Sequence, residues 1–479
     1  MAKIKPGLKD SLVFTQYSVL IWYYIVKLVI RHGPYDMVRD IIRYPWILDL
    51  LKVNGLLYRL TRDRSGEYRK AVSLTVLTIA RQIAELLERA FHESDKLILH
   101  EDLVPPEIFY AMGLKPWTIE AMGLVIPMLE PRGMERYIDA CENEGFPADI
   151  CSFVKSAVGM ILEEHLPPTS IPIVTSNMPC DGGMSSYSII TKKRKIPAYF
   201  LDVPYQFHDE RAVEYFVGEL KEMIAWLEKN SPGKMDWDSL RDRLQKRNRM
   251  VEMEMEMWEM IRQKPAPMAA EPIYLSHLWA YNNFPGSSIS VELFEKLAQM
   301  TRKNMEMGIP AVRNEKYRTL LWNPPTAHFF DLFVWAEKAY GVTCLMDMLS
   351  YNRQPLIDTS SPETMLNGLA RNIMDGPMVR HTRGPAENYL DDIFRIYKTF
   401  HLDMIWVAGH IGCKNSWALS GVLREMCRDK GIPLLIIEYD LCDPRITARE
   451  GIIRQVETFM DNVMKAPRLN QSIMKRIPV

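Results

Sequence analysis

The stretch from Asp403 to Asp440, DMIWVAGHIGCKNSWALSGVLREMCRDKGIPLLIIEYD, constrains the fold more than any other part of the chain. Met404 to Ala408 is a short apolar run closed by Gly409, the pattern of a strand buried on both faces. Asn415 or Ser416 offers an N-cap, and Trp417, Leu419, Val422, Leu423 and Met426 then recur at helical spacing. Lys430-Gly431 ends that helix, and Ile432 to Ile437 reads as a second buried strand. Such a β-loop-α-β unit implies a parallel sheet whose ligands sit beyond the carboxyl ends of its strands. Cys413 lies at such an end.

The same texture extends backwards. A strand at KLILH, a Pro-Pro turn and a helix from Pro106 to Gly113 are followed by the CSFVKSAVGMIL helix, strands at Ile171–Thr175 and Ala198–Leu201, and a helix from His208 to Glu228. Strands alternating with helices predict a parallel α/β domain. Met235 to Arg262 is a long charged helix, because Met and Glu are helix formers even where MVEMEMEMWEM alternates like a strand. KPAPMAAEP reads as a linker. Beyond it, strands at Thr319–Trp322 and Val342–Leu345 and helices at Glu363–Met374, Ala386–Phe400 and Arg449–Met464 predict a second α/β domain. The expected division is an α-helical N-terminal region over 1–95, built from helices at Ser11–Ile30, Tyr35–Leu60 and Ala71–Phe91, then α/β domains over 96–265 and 266–479.

A net charge of -1 supplies no field for nucleic acid. Seven cysteines are too sparse for a disulfide framework and no signal peptide is evident, so a reducing cytoplasm is expected. Ser11 to Ile30 has roughly the twenty residues that a membrane span needs. Gln16, Ser18, Tyr23, Tyr24 and Lys27 interrupt it, which favours a buried or subunit-facing helix over an interfacial or spanning one and makes membrane contact an unexpected role.

Three cysteines occupy comparable positions. Cys151 starts a helix, where the helix dipole favours thiolate; Cys180 follows a strand and precedes two glycines; Cys413 follows a strand. Three such thiolates could hold one metal centre. Cys344 and Cys427 read as small buried hydrophobes, and Cys141 and Cys442 as surface or loop residues. No CxxC pair, no GxxxxGK[ST] and no GxGxxG is present, which leaves a zinc ribbon, an ATPase loop and a dinucleotide fingerprint without support.

The stretches VPPEIFYAMGLKP, PADICSFVKSAVG, NMPCDGG followed by IPAYFLDVPY, and GHIGCKNSWALSGVLREMCRDKGIPLLIIEYDLCDPRITAREGIIRQVETFMD together resemble the 2-hydroxyacyl-CoA dehydratase and benzoyl-CoA reductase family. The resemblance implies two Rossmann-like domains, a 4Fe-4S cluster held by three cysteines, a homologous second subunit, an ATP-hydrolysing iron-sulfur activator that delivers single electrons, and an acyl-CoA substrate. In the dehydratases the electron makes a ketyl radical from the thioester, so that the hydroxyl leaves; in the reductases it reduces an aromatic ring. Cys151 and Cys413 match family cysteines that ligate iron. Many members carry a further cysteine just before the VP-x-E-I helix, where this chain has His100, Glu101 and Asp102. Cys180 is the expected third ligand, since hard oxygen donors suit iron-sulfur chemistry poorly; a His or carboxylate ligand, or a lost cluster, are the alternatives.

His410 could bond to substrate or shuttle a proton, or be a satisfied loop histidine. Glu101 could act as a base, or be an exposed loop carboxylate. Asp181 and Lys414 flank the supposed ligands and could tune cluster charge, or be simple solvated charges. The expectation is an iron-sulfur subunit dehydrating a 2-hydroxyacyl-CoA or reducing an aromatic acyl-CoA, with a non-catalytic scaffold subunit and a zinc-binding or metal-free α/β protein as alternatives.

Overall fold

A computed structural model describes residues 8–64, 66–166, 172–205, 209–351 and 355–469. The expected strand start at Ile171 and helix start at His208 lie outside them. The chain opens with five helices, α1 (Leu8–His32), α2 (Pro34–Arg43), α3 (Ile47–Leu50), α4 (Val53–Thr61) and α5 (Gly66–His92). The single helix expected over Tyr35–Leu60 is therefore three. Pro45 is the cause of the first break, since the residue before a proline is pushed out of helical geometry, and Tyr44 sits at φ -125°, ψ 74°.

The next segment is β1 (Leu97–His100), α6 (Pro106–Ala111), β2 (Lys115–Thr118), α7 (Ala121–Leu129), α8 (Glu135–Asn143), α9 (Ser152–Leu162), β3 (Ile173–Ser176), α10 (Asp181–Arg194), β4 (Ala198–Leu201), α11 (Glu210–Asn230) and α12 (Trp237–Ile261). Its four strands form one wholly parallel sheet in the order β2-β1-β3-β4. Sequence reading missed β2, because Pro116 argues against a central strand; β2 is an edge strand, where a missing ladder donor is tolerated.

Helices α13 (Ala270–Asn283) and α14 (Ser288–Glu306) precede the second sheet. The remaining elements are β5 (Tyr317–Trp322), α15 (Leu332–Tyr340), β6 (Val342–Asp347), α16 (Pro362–Met374), α17 (Val379–Thr382), α18 (Glu387–Thr399), β7 (Met404–His410), α19 (Lys414–Ala418), α20 (Ser420–Asp429), β8 (Leu434–Tyr439) and α21 (Arg449–Asn462). The order β6-β5-β7-β8, again all parallel, repeats the arrangement of the first sheet. The chain thus folds as an α/β protein with two parallel sheets behind a helical N-terminal region.

Every residue of β7 is buried, as its unbroken apolar run requires. Strand β8 alternates between partly exposed and buried residues because it is an edge, whereas a fully buried strand was expected. Helix α12 joins the two apolar cores: Leu240 and Leu244 pack with α11 and α16, and Met250, Met257 and Trp258 pack in the larger core that the N-terminal helices and both sheets share. In both sheets, connections leave in opposite directions on either side of one strand pair, β1/β3 and β5/β7. Ligand crevices form at the carboxyl ends of such pairs.

Candidate functional site

Glu101 directly follows β1, Cys180 lies four residues beyond β3, and His410 ends β7 with Cys413 three residues on, so these groups occupy both switch points. Each of the three singled-out cysteines is the N-cap residue of a helix: Cys151 of α9, Cys180 of α10 and Cys413 of α19. None of these helices shows a side-chain cap hydrogen bond of ordinary geometry at its N-cap residue. All are half-buried and unbridged.

Close backbone contact brings Cys413 to Cys151. A Cβ on Gly412 would stand 2.7 Å from Cys151 Cα and 2.8 Å from its N, so only glycine lets the two loops meet. Lys414 pairs with Asp149 across the same junction. His410 Nε2 is 3.1 Å from Cys151 Sγ. The Leu441 N–H donates to His410 Nδ1 at 3.1 Å, so the neutral ring carries its proton on Nε2 and donates it to the sulfur. Burial holds the His410 pKa below its ordinary value against the pull of Asp440, which keeps the ring neutral. His410 is thus a buried strand-end residue, 3% exposed, and not a loop histidine.

The expectation that the helix dipole favours thiolate at Cys151 is not met, and Cys180 shifts the same way. Burial, followed by the proximity of Cys180 and Cys413, pushes the Cys151 thiol well above its ordinary value. Burial takes Cys180 to about 11 although the Gly183 N–H opposes it. Desolvation outweighs the dipole, and mutual repulsion adds to it: three sulfurs in electrostatic reach of one another cannot all ionise without a cation among them. Lys414 is largely exposed, as read; the Asp181 side chain lies outside the described residues.

Beside Cys180 lies a group of carboxyls. Glu101 is 1% exposed, contrary to the exposed loop carboxylate expected, because its Oε2 accepts the Ser176 N–H at 2.8 Å at the end of β3. A Cβ on Gly183 would crowd Glu101 Oε1, so a larger residue there would have to displace the Glu101 carboxyl. Glu120 accepts the Tyr187 hydroxyl at 2.7 Å and the Asp102 N–H at 3.1 Å. Burial and then the Glu120 charge raise Glu101 well above the carboxylate range; burial and then Asp102 take Glu120 to about 8; burial takes Asp102 to about 6. Burial lowers His100 to about 4 and keeps it neutral. Burial and the neighbouring carboxyls thus favour the protonated form of Glu101.

Cys141, Cys344, Cys427 and Cys442 are buried. This agrees with the reading of Cys344 and Cys427, corrects that of Cys141, which lies in α8, and leaves Cys442 a loop residue as read, though a buried one. Cys141 faces inward from α8, and Cys442 donates its S–H to the Gly123 carbonyl at 3.2 Å while its N–H reaches Ser152 Oγ at 3.1 Å. Cys442, Glu120 and Tyr187 were missed. Glu120 was discoverable, since it stands two residues beyond β2, close to the position that Glu101 has directly after β1.

Among the described residues, no three His, Cys, Asp or Glu side chains stand as the ligands of one metal ion. A polynuclear cluster asks for a different arrangement, because each thiolate binds its own iron and the sulfurs stand apart around the core. The donor set of Cys151, Cys180 and Cys413 is uniformly soft, and the loops that carry Cys151 and Cys413 are already in backbone contact at Gly412. These residues fit a cluster of that kind.

Residues 103–463 match the family model described as 2-hydroxyglutaryl-CoA dehydratase, D-component. The chain is 23% identical over 348 residues to one of the subunits of benzoyl-CoA reductase from Thauera aromatica, covering 67% of this chain and 78% of that one. It is 25% identical over 285 residues to the alpha subunit of (R)-2-hydroxyglutaryl-CoA dehydratase from Acidaminococcus fermentans, covering 57% of this chain and 56% of that one.

Proposed function

The chain belongs to the family of the 2-hydroxyglutaryl-CoA dehydratase D-component, and on that premise we propose that it is the iron-sulfur subunit of a cytoplasmic, oxygen-sensitive enzyme acting on CoA thioesters. Its reaction is either dehydration of a 2-hydroxyacyl-CoA to the enoyl-CoA or reduction of an aromatic acyl-CoA. Cys151, Cys180 and Cys413 would hold a 4Fe-4S cluster, which supplies single low-potential electrons when bound. The convergence of these three half-buried cysteines with His410 at the carboxyl ends of the strands carries the reading.

The protein's own groups have defined tasks. His410 Nε2–H directs a hydrogen bond at Cys151 Sγ, and a hydrogen bond of that kind lowers the electron density on a ligating sulfur. Glu101 holds a proton beside Cys180 and can give it to a substrate oxygen, while Glu120 and Tyr187 keep the neighbourhood uncharged. His410, Glu101, Glu120 and Tyr187 are themselves buried. A homologous second subunit and an ATP-hydrolysing activator complete the proposed enzyme, both relatives being subunits of larger enzymes.

Anaerobic purification tests this reading. About four irons with matching sulfide are expected, and Cys413→Ala should abolish the brown chromophore. A colourless, iron-free protein that still pairs with a sister chain would favour the scaffold role instead. Zinc bound without sulfide would overturn the cluster.

A further inference from the structure

Helix α1 is apolar on all sides. Its inner stripe of Phe14, Tyr17, Ile21, Tyr24 and Leu28 packs on α4 and α5. Its outer stripe of Leu12, Val19, Trp22, Val26 and Ile30 faces solvent, with Ile30 70% exposed, and 11% of its most apolar window is buried. The expectation was a buried or subunit-facing helix; its outer face is not buried within this chain. A helix that is hydrophobic all round belongs in a core or in lipid, and this one is only half covered. The outer stripe continues over α2 as Tyr35, Val38 and Ile42, spaced i, i+3, i+7 and each more than half exposed, and on to Leu48, Leu51 and Tyr58 of the next segments.

Charge distinguishes what could cover this face. Residues 1–62 contain ten Lys or Arg and four Asp or Glu, in a chain whose net charge is -1. Residues 12–62, whose side chains are described, hold seven of these cations and three of the acids, so positive charge is in excess where the apolar surface is exposed. Lys27 and Arg43 stand at its rim without an ion-pair partner among the described residues, next to Arg31, Arg39, Lys52 and Arg62, whose side chains are 47–58% exposed. Trp22, Tyr23, Tyr35 and Tyr58 add exposed amphipathic rings, which favour the bilayer interface. We infer that the outer face of α1 to α4 lies in the headgroup boundary of an anionic bilayer and holds the protein on a membrane surface.

Helix α1 has the length and composition of a span, yet it is strapped lengthwise to the body. Phe14 packs edge-on against Tyr58, Arg81 lies over the Tyr24 ring, and Arg31 pairs with Glu88 at 2.8 Å. Crossing the bilayer would tear these contacts and expose the inner stripe, so the helix lies flat.

Co-sedimentation of the full chain with vesicles tests the inference. The protein should pellet with phosphatidylcholine vesicles containing about a third phosphatidylglycerol, less at high salt and much less with phosphatidylcholine alone. Val26→Asp with Ile42→Asp should weaken binding roughly tenfold or more, while Val463→Asp, an exposed position outside the face, should leave it unchanged. Both double-variant positions are exposed, so unchanged circular dichroism is expected. Absence of pelleting with anionic vesicles overturns the inference. So does a dimer, with itself or a sister subunit, that the double variant splits, since a protein would then cover this face.

Discussion

At the scale of single residues, the site is governed by desolvation. Burial shifts Cys151, Cys180, Glu101, Glu120 and His410 towards their neutral forms, so introducing a cation is worth more here than at a surface. Glu120 makes this measurable. Its unfolded pKa is 4.5 and its folded pKa about 8, so between those values the folded state keeps a proton that the unfolded chain has lost. Stability should therefore be fully present below about pH 4.5 and fall as pH rises towards 8. Glu120→Gln cannot ionise, and its amide can serve both Tyr187 and Asp102. Urea midpoints should show the variant close to the wild type at pH 5 and more stable, by on the order of 2 kcal/mol, at pH 8.5. Parallel pH profiles would contradict the assignment. Residue chemistry of this kind was the least legible part of the sequence: a carboxylate after a strand reads as exposed, and only the Ser176 N–H that captures Glu101 and the Tyr187 hydroxyl that captures Glu120 show why both are buried.

At the scale of elements, the strongly patterned segments were legible. The unbroken apolar run gives β7, Met-Glu alternation yields to helix propensity in α12, and β4 falls at Ala198–Leu201 as read. Local exceptions were not: Pro116 hid an edge strand, and Pro45 broke a helix. Between the elements, the contact that assembles the site belongs to Gly412. An alanine there must push the α9 start away by several tenths of an ångström, because the atoms it meets are the Cys151 backbone and the Ile150 carbonyl. Gly412→Ala should cost roughly 1–3 kcal/mol in stability and reduce bound iron well below that of the wild type. Gly421→Ala, where no atom lies within 4 Å of the new methyl, should do neither. Equal iron content in both variants would show that Cys151 and Cys413 need not meet.

At the scale of the molecule, the question is how a helical region and two sheets stay in register so that loops from both sheets share one crevice. Apolar packing is continuous but non-directional, and so does not by itself fix which way the N-terminal helices sit. A buried charge cluster supplies direction. Arg64, between α4 and α5, bonds Glu271 of α13 at 2.5 Å and Glu337 of α15 at 2.6 Å, and Tyr68 donates to Glu337 at 3.2 Å. Arg64 and Glu271 are almost wholly buried. Burial alone would depress the Arg64 pKa; the two carboxylates outweigh it and hold it well above the ordinary value, so the guanidinium stays charged. Pairs of this kind contribute less to stability than they cost when broken. Arg64→Met leaves two carboxylates facing each other in the interior and should destabilise the protein by about 3–5 kcal/mol, whereas combining it with Glu271→Gln and Glu337→Gln should recover most of that loss. Thermal unfolding of the single and triple variants separates the two effects. If both unfold alike, the cluster contributes only packing, and the register of the N-terminal helices is set by their apolar faces.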